Sequence, residues 1–157
     1  MANLEALYQE VILDHNRKPR NFREIEHADR KVEGRNPLCG DQVTVWVKLD
    51  GDTVTDVSFK GVGCAVSKSS ASLMTSAVKG KSLEETKQLF DKFHDMITGK
   101  MSEADRELMG SLGALGGVSR FPLRVKCASL AWHALKSALD GGGEVTTDDG
   151  TTATEGA

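Results

Sequence analysis

Three thiols and one carboxylate are the side chains of this sequence best suited to chemistry. Cys39 and Asp41 share the segment Asn36-Pro-Leu-Cys-Gly-Asp41, Cys64 follows Gly61-Val-Gly63, and Cys127 follows Arg124-Val-Lys126. Thiolates with a carboxylate suit zinc or iron, and four such donors make a sensible tetrahedral site. The spacing is not that of a short chelating motif: no CxxC pair occurs, and the cysteines stand 25 and 63 residues apart. Dispersed cysteines are commonly just buried small apolar groups. Residue types alone therefore leave buried thiols, metal ligands and reactive thiols all open.

Local context distinguishes them. Pro37 and Gly40 flank Cys39 and mark an exposed turn, while the glycines before Cys64 let backbone approach a metal or a substrate closely. Cys127 falls in the first turns of a predicted helix beside Arg124 and Lys126, where helix dipole and cations favour thiolate. Other candidates are weaker. His133 lies six residues past Cys127, on a different helix face, and Asp14 with His15 reads as surface or capping groups. Trp46 and Trp132 read as packing residues, the Ser67–Ser72 run forms no nucleophile elbow, and Gly61-Val-Gly63 is too short for a phosphate loop.

The elements that must carry these groups are visible in the hydrophobic periodicity. Leu4, Leu7, Tyr8, Val11 and Ile12 mark an amphipathic first helix that Pro19 stops. Residues 20–34 are weakly patterned, with an edge strand expected over 28–33. Val43, Val45, Val47 and Leu49 alternate as a half-buried strand, and Thr53–Lys60 reads as its hairpin partner. A three-residue loop, pairing Val45 with Val57 and Val43 with Phe59, puts apolar side chains on one face and is the expected register. Cys64 leads into a helix of small residues over 65–79, closed by Gly80. Ser82 and Glu85 form a capping box for a helix running to Gly99, and Ser102 with Asp105 starts a shorter one. Four glycines break the stretch 110–120 into a loop with helical pieces, and Pro122 opens a last helix ended by Gly141. Helix, strands, then helices predict an α+β fold with helices on one face of a small antiparallel sheet.

Bulk composition limits the function classes. A chain of 157 residues, 39% hydrophobic and 27% charged, suits one soluble domain. Residues 141–157 are mostly Gly, Thr, Asp and Glu and are expected to be a disordered acidic tail. Four of the 23 acidic residues lie there and no basic ones, which leaves the body with 20 positive against 19 negative charges. A near-neutral body gives no electrostatic case for nucleic acid or a membrane surface. With no signal-like start and no long apolar run, the expected location is the cytoplasm, where three cysteines are not a disulfide framework.

These residues carry a resemblance. Leu7-Tyr8 with Asp14-His15, Pro19-Arg-Asn21, Asn36-Pro-x-Cys-Gly-Asp41, Gly61-x-Gly-Cys-Ala-x-Ser67, Gly80-Lys81, Phe121-Pro-x-Arg-x-Lys-Cys127-Ala and Leu130-Ala-Trp-His-Ala134 resemble the NifU/IscU-like superfamily of iron–sulfur assembly proteins, specifically its SufU branch. The resemblance spans about residues 4–139, within a domain of residues 1–140. It implies a three-stranded antiparallel sheet with helices on one face, and a metal site of Cys39, Asp41, Cys64 and Cys127. IscU-type scaffolds carry histidine immediately before the third cysteine and a Leu-Pro-Pro-Val-Lys motif; here Lys126 holds that position and the segment reads Phe121-Pro-Leu-Arg-Val125. Together with the long stretch between Cys64 and Cys127, these departures point away from the scaffold. The resemblance then implies a zinc-dependent sulfurtransferase that takes persulfide sulfur from a SufS-type, PLP-dependent cysteine desulfurase and passes it towards a downstream Suf cluster scaffold. Cys39, on a mobile Pro/Gly-flanked loop, is the expected acceptor, Asp41 the labile ligand, and Arg124 an orienting or partner-contacting residue. The alternative is a scaffold that assembles iron as a [2Fe–2S] cluster on the same ligands.

Overall fold

Alternation of side chains along a strand decides which residues meet the helices, and the central strand follows it closely. A computed structural model of the chain describes residues 3–37, 40–141 and 145–146. Strand β2 (Asp41–Asp50) buries Asp41, Val43, Val45 and Val47 towards the helices and is paired on both sides, antiparallel to β1 (Arg30–Asn36) and to β3 (Thr53–Val62). The expected three-stranded antiparallel sheet with helices against one face is therefore present. A two-residue strand, β4 (Val145–Thr146), adds to the outer edge in the order β3-β2-β1-β4, parallel to β1 through Gly34 and Arg35.

One expectation about the hairpin needs correction. The β2–β3 loop has two residues, not three: Asp50 pairs with Thr53, and Gly51 takes φ 60° in the turn. A bulge between Lys48 and Leu49 then lets Thr55 slip out of the ladder, so Val45 faces Phe59 and Val47 faces Val57. The extra residue restores the parity that a two-residue loop would have lost, and apolar side chains still share one face. In the tail, Val145 and Thr146 pair with the outer edge of β1. The expected disorder over 141–157 falls mostly on residues 142–144 and 147–157, which lie outside the described residues.

β1 begins two residues later and ends three residues later than the edge strand expected over 28–33. Its inward positions are Val32, Gly34 and Asn36, all buried, with charged residues between them. Gly34 and Asn36 carry no apolar signal, so periodicity misses that half of the strand. The extension matters because Asn36 pairs with Asp41 and the Gly40 amide donates to the Asn36 carbonyl at 2.9 Å. Residues 37–40 thus form the short connection that holds Cys39.

Helix α1 (Asn3–Arg17) forms where the sequence places it, and helix α2 (Ala65–Val78) begins as expected and ends one residue early, with Lys79 as its C-cap. α2 packs closely because its inward side chains are small; Ser67, Ser69, Ser70, Ser72 and Thr75 are buried. Each of the deeper hydroxyls finds a partner, as buried polar groups must. Ser70 Oγ donates to the Ala128 carbonyl at 2.6 Å and accepts from Trp132 Nε1 at 3.2 Å, tying α2 to helix α5 (Pro122–Leu139). Ser72 Oγ accepts the Arg20 amide at 2.8 Å and lies 2.7 Å from His15 Nδ1. His15, expected at the surface, is instead buried between α1 and α2, where desolvation lowers its pKa.

Helix α3 (Leu83–Ile97) starts with the expected Ser82–Glu85 capping box, and α4 (Glu103–Leu108) with Ser102 capping Asp105. Residues Gly110–Arg120 form a continuous 3-10 segment rather than a broken loop. Arg106 explains its glycines: Nε donates to the Gly113 carbonyl at 2.7 Å, and a Cβ on Gly116 would clash with the same side chain. The core between sheet and helices centres on Phe59, Met74, Phe93, Ile97, Leu115 and Trp132, with Phe93 and Trp132 stacked at 4.3 Å.

Candidate metal centre

Three elements end at one place. Asp41 opens β2, Cys64 lies between β3 and α2, and Cys127 sits in the second turn of α5. One ligand atom from each, the Asp41 carboxylate oxygen and the two sulfurs, lies within 4.8 Å of the others. Asp41 and Cys127 are buried while Cys64 is exposed, so the cluster opens to solvent on the Cys64 side.

The backbone around Cys64 is shaped to hold that cluster. Cys64 caps α2 with its sulfur, which accepts the Ser67 amide at 3.4 Å. Its own amide donates to Asp41 Oδ1 at 3.0 Å, and its sulfur stands 3.8 Å from Asp41 Oδ2. The Cys64 thiol is pulled down to about 6, chiefly by its hydrogen bond with Cys127 and further by the amides of the first turn of α2, against burial and the Asp41 charge. Near neutral pH this sulfur is a thiolate, the form that binds metal and attacks sulfur.

The donor set fits a zinc-like ion. Zinc–sulfur and zinc–oxygen bonds of about 2.3 and 2.0–2.2 Å imply, in a tetrahedron, S···O separations of about 3.5–3.7 Å and S···S separations of about 3.8 Å. The 3.8 Å between Asp41 Oδ2 and Cys64 Sγ is close to that S···O range, and the 4.8 Å span of all three closes with small side-chain movements. Two thiolates and a carboxylate leave one tetrahedral position for another donor.

Of the four ligands and one cation expected from the sequence, Asp41, Cys64 and Cys127 are brought together. Cys39 lies outside the described residues, in the connection whose closing pair is Asn36 and Asp41. Arg124 is exposed one turn before Cys127, with its guanidinium over the Phe121 ring at 4.6 Å. His133 is not with the cysteines. It packs edge-on against Phe90 and beside His94 of α3, and burial pushes its pKa down to about 4. Sequence reasoning missed the main-chain part of the site, the Cys64 and Ser67 amides and the space at Gly63; the Gly-x-Gly-Cys spacing was its only trace.

The NifU-like N terminal domain family matches residues 7–141. The chain is 45% identical over 138 residues to a zinc-dependent sulfurtransferase SufU of Bacillus subtilis, covering 88% of this chain and 92% of that one. It is 42% identical over 139 residues to the iron–sulfur cluster assembly scaffold protein IscU of Streptococcus pyogenes serotype M1, covering 88% and 86%. Among solved structures it resembles a candidate iron–sulfur cluster assembly scaffold of the SUF system from Fervidobacterium islandicum AW-1, with a TM-score of 0.77 and 33% identity over 88% of this chain and 99% of that one. With the Asp41, Cys64 and Cys127 donors gathered at the strand and helix ends, the chain belongs to the NifU/IscU superfamily of iron–sulfur cluster assembly proteins, in its SufU branch.

Proposed function

We propose that the protein is a zinc-dependent sulfurtransferase of iron–sulfur cluster assembly, accepting persulfide sulfur on Cys39 from a cysteine desulfurase in the reducing cytoplasm. The observation that carries this reading is the convergence of Asp41, Cys64 and Cys127 donors within 4.8 Å beside the Cys39 connection. Cys39 would complete the ligand set with these three. Bound zinc supplies a positive charge that keeps thiolates ionised at neutral pH without redox side reactions.

The chain's own groups divide the work. Asp41 and Cys127 are buried and Cys64 is tied to the first turn of α2, so these three are the fixed side of the site. Cys39 is assigned the acceptor role because Pro37 and Gly40 flank it in sequence, and Gly40 takes φ 75°. As thiolate it attacks the terminal sulfur of the desulfurase persulfide. The donor's S–S bond breaks, a new one forms on Cys39, and the electron pair returns to the desulfurase cysteine as thiolate; no outside oxidant or reductant is needed. Passage of that sulfur to a downstream Suf scaffold repeats the exchange. Arg124 would meet the partner enzyme, a role supported by its exposure on the same end of α5 as Cys127.

The test is metal analysis of aerobically purified protein together with desulfurase turnover in the presence of wild type or Cys39→Ala. Near-stoichiometric zinc, and stimulation that Cys39→Ala abolishes, support the proposal. A brown protein that passes an intact [2Fe–2S] cluster to an acceptor, or full stimulation by Cys39→Ala, overturns it.

A further inference from the structure

The Asp41 carboxylate is divided between two tasks. Oδ1 accepts the Cys64 amide at 3.0 Å, while Oδ2 faces the Cys64 sulfur at 3.8 Å. As the N-cap of α2, Cys64 has an amide with no helical acceptor, so this bond satisfies a donor that would otherwise be stranded. Asp41 is only 1% exposed, so its carboxylate has no solvent side into which it could swing.

Gly63 supplies the space for this arrangement. A Cβ there would stand 2.6 Å from Asp41 Oδ1, 3.0 Å from its Cγ and 3.3 Å from its Cβ. The requirement is steric, not conformational: Gly63 is absent from the described positive-φ glycines, so alanine can adopt its backbone. Gly61 differs, because its Cβ would strike the Gln42 carbonyl and break the strand pairing itself.

We infer that Gly63 is a positioning residue for the metal site: its missing side chain lets the Cys64 amide pin Asp41 Oδ1, so that Asp41 binds through Oδ2 alone as a one-oxygen ligand. This rests on the proposed zinc site and goes beyond it by assigning how the carboxylate binds and what sets its lability. A carboxylate restricted to one oxygen leaves the fourth coordination position to a thiolate. A carboxylate pushed off its amide can chelate with both oxygens or leave the ion, and either changes coordination number and exchange rate. Orienting groups behind metal ligands matter to affinity on this scale.

The experiment is a double-mutant cycle of Gly63→Ala and Asp41→Ala, read as zinc transfer to a chromophoric chelator and as the visible spectrum of the cobalt(II)-substituted protein. The expected result is that Gly63→Ala speeds zinc loss by about tenfold or more and alters the cobalt ligand-field bands. In the Asp41→Ala background it should add no more than about twofold, the scatter of independent sites. An unchanged rate and spectrum in the single variant, or an undiminished effect without Asp41, overturns the inference. A second measurement needs no Gly63 variant: hydrogen exchange of the Cys64 amide in zinc-free protein. Slow exchange in wild type and Asp41→Asn, which keeps an acceptor, and fast exchange in Asp41→Ala are expected. Fast exchange in wild type contradicts the pinning whether or not the protein carries sulfur. Absence of zinc binding by a wild type with a protected Cys64 amide would instead overturn the proposed function.

Discussion

The Cys64 amide and Asp41 Oδ1 are joined at 3.0 Å across the gap between α2 and the start of β2, so one metal-facing side chain is held by the backbone of another. Removing the carboxylate strips a ligand and strands a half-buried donor. Asp41→Ala is expected to lower the stability of zinc-free protein by about 1–3 kcal/mol, the cost of leaving such a group unpaired. Asp41→Asn should recover most of this loss while still weakening zinc, since an amide oxygen accepts the bond but brings no charge. Urea unfolding of the two metal-free variants checks the order.

In zinc-free protein the Cys64 thiol, lowered to about 6, is largely ionised at neutral pH. Its alkylation by iodoacetamide, located by peptide mass mapping, is expected to rise with pH through about 6 and then level off. An ordinary thiol would keep accelerating beyond pH 8. Zinc loading should suppress the reaction across the range.

His133 gives the fold its own pH dependence. In the folded protein burial holds it neutral down to about 4, while in the unfolded chain it takes a proton near its ordinary 6.5. Between these values the unfolded state binds more protons, so stability falls as pH drops from about 6.5 to 4, by at most about 1.4 kcal/mol per pH unit. His133→Phe should flatten that part of the curve, measured as urea midpoints from pH 7 to 4.5. A slope unchanged by the substitution would place the proton uptake elsewhere.

Ser70 links α2 to α5 by accepting from Trp132 and donating to the Ala128 carbonyl. Ser70→Ala leaves the Trp132 indole N–H buried without its acceptor and is expected to cost about 1–3 kcal/mol. Sulfur acceptance at saturating zinc should be unaffected, because the hydroxyl touches no donor atom of the site. Thermal melts paired with desulfurase assays separate the two effects.

How much of this was legible in the sequence depended on which atoms do the work. Val43, Val45 and Val47 announced β2 because every second side chain is apolar, and the Ser82–Glu85 box announced α3 because both capping groups are side chains. β1 was half hidden, since its inward residues include Gly34 and Asn36, and the hairpin register was missed because the Thr55 bulge leaves no compositional mark. At the site the side chains Asp41, Cys64 and Cys127 were legible by type and flanking residues. Their main-chain supports were not, because an amide looks the same at every position. His15 was misread because its partner, Ser72, lies 57 residues away on another helix.

In the proposed reaction sulfur lands on Cys39 while the other donors hold the site. This is tested most directly by incubating zinc-loaded protein with a cysteine desulfurase and cysteine, trapping thiols by alkylation, and mapping the site of added sulfur by mass spectrometry. One extra sulfur, about 32 Da, is expected on the Cys39 peptide, with no added sulfur on Cys64 or Cys127. Added sulfur on Cys64 or Cys127 with Cys39 unmodified, or none on any of the three, would contradict it.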